Sequence, residues 1–107
     1  MTCTGNASLR LGRHELAHGR TVVVPVGEID LATRDLLRSA LEASHGDVVV
    51  DLSGVSFLDS EGIAVLIAQR KRLIASGGSL QLRDAQPAMR KVLEIAGLET
   101  LIAEERA

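Results

Sequence analysis

Aromatic residues and cysteines are nearly absent from this sequence. Its 107 residues include one Phe and neither Tyr nor Trp, which removes the aromatic platforms that stack bases or sugars. Cys3 is the only cysteine, so an intramolecular disulfide and a multi-cysteine metal site are both excluded. A reducing compartment fits that usage, and Cys3 reads as a terminal thiol. Neither sign of charge dominates: the formal charge is -2 with 24% charged residues, too balanced to draw the chain onto nucleic acid or an anionic membrane. No apolar run approaches the ~20 residues that span a bilayer, and MTCTGNASLRLGRHEL holds no signal-peptide core. The expectation is a soluble cytoplasmic protein with neither a nucleic-acid nor a membrane partner.

What is present is a 46% hydrophobic chain of one-domain length, enough for a single core over residues 1–107. Leu9, Leu11 and Leu16 among polar neighbours suggest an exposed first strand, and His18 with Gly19 suits a turn. RTVVVPVGEID follows as a strand, with Pro25 lacking a ladder donor and so marking an edge or an irregularity. From Leu31 the period becomes helical, placing Leu36, Leu37, Ala40, Leu41 and Ser44 on one face, with Asp30 as cap and Gly46 as stop. DVVVDL reads as a central strand covered on both faces.

Gly62 to Ala75 predicts a second helix, with Ile63, Leu66, Ile67, Leu73 and Ile74 inward, polarity at Gln69, Lys71 and Arg72, and a Gly77-Gly78 stop. SLQLRD alternates as a half-buried strand. Pro87 then opens a helix turning Met89, Val92, Leu93 and Ala96 inward, closed by Gly97. ETLIAEE suggests a last short strand. Strands and helices interleave, the signature of an α/β protein with a mixed or parallel sheet.

Between the third strand and the second helix lies FLDSEGIAVL, whose Asp59, Ser60 and Glu61 interrupt the most apolar part of the chain. A hydrolase elbow needs small residues on both sides of the serine, yet Leu58 and Gly62 stand there, and His14, His18 and His45 form no pattern that nominates a base. Neither phosphate-binding glycine motif occurs. Asp30, Asp51, Asp59 and Glu61 match no cation-loop spacing. No cofactor and no metal are expected. Two readings stay open: Asp59 is a plain helix cap, or it presents Ser60 in a first helical turn where an added phosphate is tolerated and adds about -1.5 to -2 charge.

The stretches VGEIDLAT, VVVDLSGVSFLDSEGIAVL, SGGSLQLRD and PAMRKVLEIAGL, in that order and spacing, resemble the STAS domain of bacterial anti-sigma factor antagonists over roughly Leu9 to Ala103. The resemblance implies a four- or five-stranded mixed sheet with helices mainly on one side, and a regulator rather than an enzyme. It implies that Ser60, in the D-S-x-G turn, is phosphorylated by an anti-sigma factor with serine kinase activity. The unphosphorylated chain then binds that anti-sigma factor and frees sigma, the phosphorylated chain does not, and a phosphatase resets the switch. A monomer is expected, with Asp30, Asp59, Ser60, Glu61 and Gly62 meeting the partner. Gly62 is expected where the helix comes close to either the partner or the preceding strand, and Gly62→Arg is expected to weaken binding while leaving the fold intact. The sequence departs from the family at Glu61, a fixed negative charge where a second Ser or Thr is common. The alternative is a soluble STAS subunit of a lipid or anion transport complex, whose partner is a transporter ATPase and whose Ser60 need not be modified.

Overall fold

The computed structural model describes residues 9–101. Strands β1 (Leu9–Leu16) and β2 (Arg20–Ile29) are joined by a 3-10 turn, and helix α1 (Arg34–Glu42) follows. Then come β3 (Asp47–Asp51), β4 (Val55–Leu58), α2 (Ser60–Ala75), β5 (Ser79–Arg83) and α3 (Pro87–Ile95). The five strands form one mixed sheet: the order is β1-β2-β3-β5, with β4 alongside the far half of β2. β1 runs antiparallel to β2, and the other pairings are parallel.

Alternation along the strands decides where the core lies. Val23 of β2, Val48 and Val50 of β3 and Leu80 and Leu82 of β5 point to one face, where they meet Leu37 and Leu41 of α1, Leu66 and Leu73 of α2 and Met89 and Leu93 of α3. All three helices thus feed one core on one side of the sheet. Among the described residues no helix is long and apolar enough to cross a membrane.

β4 was not separable in the sequence, which reads from DVVVDL straight into the polar turn. Ser53 and Gly54 form a tight turn between β3 and β4, closed by the Val55 amide on the Leu52 carbonyl at 3.0 Å. The Gln86 side-chain amide donates to the Ser53 and Val55 carbonyls at 2.9 and 3.2 Å. Only Val55 and Leu58 of the four β4 residues are buried, and their three-residue spacing lacks the alternation of a strand.

Pro25 turns out to mark an irregularity in a central strand. β3 pairs with β2 as far as Val23 and β4 joins at Gly27, so Pro25 stands in the gap between two neighbours. Gly27, on the same edge two residues later, donates to the Gly54 carbonyl at 2.9 Å. The donor that Pro25 lacks would have faced no strand.

Several expectations are corrected. α1 begins at Arg34 rather than Leu31, because Asp30 closes a separate turn first, and Leu36 is 46% exposed instead of inward. Ile74 and Ala96, at the ends of α2 and α3, also face outward. Gln69 is 4% exposed rather than solvated, since its Oε1 accepts from Arg72 Nε at 2.8 Å. The same guanidinium donates to the Leu41 and Ser44 carbonyls at 2.8 and 3.1 Å, satisfying the end of α1. Residues Glu99–Leu101 form a 3-10 turn, not a strand: three-residue spacing sends both Leu98 and Leu101 into the core. Cys3 and the rest of the tail lie outside the described residues.

Candidate functional site

β2 and β4 are parallel, and Ile29 lies opposite Leu58 in their register. Both strands therefore end together, and the turns that follow them meet, the position where open α/β sheets place their sites. The Asp59 amide fixes the meeting by donating to the Ile29 carbonyl at 3.2 Å.

Each turn is closed by an aspartate. Asp30 Oδ1 accepts from the Ala32 and Thr33 amides at 3.0 and 3.1 Å, while the Thr33 hydroxyl accepts from the Asp30 amide and donates to the Glu28 carbonyl at 2.7 Å. Thr33, 2% exposed, and Asp30 together set the approach to α1. Asp30 is thus a turn-former that also lies beside the second turn. Asp59 is the N-cap of α2, its Oδ1 accepting from the Glu61 and Gly62 amides at 2.9 and 3.2 Å. Ser60, the first helical residue, is exposed, and among the described residues its hydroxyl has no hydrogen-bond partner.

Glu61 reaches across to Arg34 at the start of α1 in an ion pair whose members are 38% and 37% exposed. Gly62 points the other way: a Cβ there would stand 2.5 Å from both Ile29 Cγ2 and Leu58 Cδ1. Its missing side chain serves packing against the strand ends, so the expectation that a bulky residue at Gly62 leaves the fold intact is corrected. Asp30, Asp59, Ser60 and Glu61 are brought together at one surface, with Gly62 beneath it.

Around this surface two large apolar side chains stay in solvent, Leu31 at 63% and Phe57 at 46% exposure. Sequence reasoning passed over both, and Arg34 as well. The only signal was the position of the chain's single aromatic residue two places before Asp59. Asp51 lies elsewhere, at the end of β3, taking the Ser53 amide at 2.9 Å and the Arg83 guanidinium at 3.0 Å. Partial burial there opposes the charged form, but the Ser53 hydrogen bonds and the Arg83 cation outweigh it and hold the carboxyl below its usual value. His18 and His45 flank the starts of β2 and β3, at the opposite end of the sheet from Ser60, so neither can take the serine's proton.

The geometry agrees with what the chain is similar to. Residues 13–103 match the family described as "Mlab, STAS domain". An anti-sigma-B factor antagonist of Bacillus subtilis is 34% identical over 79 residues, covering 71% of this chain and 72% of its own. The chain belongs to the STAS family of anti-sigma factor antagonists. Among solved STAS structures, an anti-sigma factor antagonist from Mycobacterium paratuberculosis superposes with a TM-score of 0.78 at 30% identity, covering 94% of this chain and 87% of that one. The Bacillus antagonist SpoIIAA in its unphosphorylated form gives 0.79 at 20% identity, covering 91% and 89%, and its phosphorylated form has been solved too, at 0.71 and 20%, covering 91% and 92%. The five-stranded mixed sheet with one helical side is the STAS fold.

Proposed function

We propose that the unphosphorylated chain binds an anti-sigma factor through the surface where β2 and β4 end, and that phosphorylation of Ser60 by that partner's serine kinase activity abolishes binding. The observation that carries this reading is the state of Ser60: an exposed, uncommitted hydroxyl on a helix start that Asp59 has already capped. In the transfer, Ser60 Oγ forms a bond to the γ-phosphorus of ATP, the bond to the ADP oxygen breaks, and the hydroxyl proton leaves to a base on the kinase. The chain itself needs only to present the oxygen.

The switch follows from charge. The phosphate adds about -1.5 to -2 beside Asp59 and Glu61, while the positive end of the α2 dipole offsets its effect on folding. Repulsion and desolvation fall on the partner contact instead. Leu31 and Phe57 supply the apolar area of that contact, and a cytoplasmic setting supplies the kinase, ATP and a resetting phosphatase.

The test is to incubate the chain with its candidate anti-sigma factor and ATP and to map the product by mass spectrometry. One phosphate on Ser60 is expected. A phosphate on Ser56 or Thr33, or none from a kinase shown to be active, would overturn the assignment. Capture of a transporter ATPase in place of an anti-sigma factor would move the chain to the transport-subunit reading.

A further inference from the structure

A phosphate on Ser60 arrives at a helix start whose usual anion donors are in use, because Asp59 Oδ1 holds the Glu61 and Gly62 amides. The charged side chains around it are unequal. Asp59 and Glu61 on the turn of α2 are anionic, and so are Asp30 before α1 and Glu28 on β2, while β4 carries no charged residue. On α1, Asp35 pairs with Arg38 three residues away and also lies 3.9 Å from Arg34 Nε. Arg34 alone crosses from α1 to the first turn of α2, where it grips Glu61, the residue next to Ser60. That pair is more than a third exposed on both sides, so water and salt compete with it freely. A phosphoserine dianion, with three acceptor oxygens, suits the guanidinium fork better than a carboxylate does.

We propose that Arg34 is the residue through which this chain responds internally to phosphorylation of Ser60, its guanidinium exchanging Glu61 for the phosphate; this rests on Ser60 being the modified residue. Arg34 is a positioning residue. The exchange frees the Glu61 carboxylate in a groove of about 140 Å³ between α1 and α2, which Arg34, Arg38, Ala64, Val65, Ala68 and Gln69 also line. The partner then meets a phosphate and an unpaired carboxylate together, so one modification alters two charged groups.

The experiment uses the full chain with phosphoserine inserted at position 60 during translation, so no kinase is needed, and follows the second ionisation of the phosphate by 31P NMR. A nearby cation favours the dianion and lowers the midpoint. The midpoint of the parent protein should lie below that of Arg34→Ala and Arg34→Gln by about half a pH unit or more, given the exposure of the site. Arg34→Lys should recover part of the difference, and Glu61→Gln, which leaves Arg34 only its 3.9 Å contact with Asp35, should lower the midpoint more in the parent than in the Arg34→Ala protein. Amide NMR spectra verify that each variant is folded. Equal midpoints in the parent, Arg34→Ala and Arg34→Gln proteins would overturn the proposal. The result is independent of the phosphorylation reading, which fails separately if an active kinase leaves Ser60 unmodified.

Discussion

Gly62 lies so close to Ile29 that a Cβ on the glycine would stand 2.5 Å from the isoleucine's Cγ2, and equally close to Leu58 Cδ1. The first turn of α2 is thereby pressed onto the ends of β2 and β4, which holds Ser60 at a fixed height above the sheet. Gly62→Ala should destabilise the protein by about 1–3 kcal/mol through overpacking. Gly62→Arg should abolish cooperative unfolding at room temperature. Urea denaturation followed by circular dichroism checks both, and an unchanged midpoint for Gly62→Ala would show that the strand ends yield without cost.

Asp59 is expected to matter for stability without defining the fold. Its carboxylate holds two amides of the α2 first turn, so Asp59→Ala should cost about 1 kcal/mol, within the range for lost N-caps, and Asp59→Asn much less. The same denaturation series measures it.

Much of this was legible because the local signals agree with one another. The alternation in SLQLRD, the Gly77-Gly78 stop and the Asp59 cap each state one local conformation, and each was found where expected. What escaped notice depends on distant partners. β4 is a strand because β2 continues past β3 and offers it an edge, and Gln69 is buried because Arg72 links it to the carbonyls that end α1. At the site the aspartates and the serine were visible in the motif, whereas the Arg34 pairing spans 27 positions and leaves no local trace.

Asp51, hydrogen-bonded by Ser53 and paired with Arg83, sets one pH dependence. Asp51 keeps its carboxyl below the ordinary value of 3.8 in the folded chain, so the unfolded chain binds a proton first as pH falls. The contribution is fully present above about pH 5 and is lost as pH drops through 3.8 and below. Asp51→Asn should therefore lose stability near neutrality but show a shallower decline between pH 5 and 3. A parallel decline in parent and variant would show that Asp51 is not a source of acid sensitivity.

Ser60→Ala should fold and bind like the parent while refusing phosphate, since it removes only an exposed hydroxyl. Ser60→Asp should weaken anti-sigma factor binding in part, because one charge and two acceptors replace up to two charges and three oxygens. Titration calorimetry on the parent and the two variants ranks them, and equal affinity for Ser60→Asp and Ser60→Ala would mean that charge at this turn does not govern binding.

The central claim is tested most directly by comparing the affinity of the anti-sigma factor for the unmodified chain and for the same chain carrying phosphoserine at position 60. The account predicts a loss of about 100-fold or more, roughly 3 kcal/mol of coupling, with unchanged circular dichroism spectra. Equal affinities for the two folded proteins would contradict it.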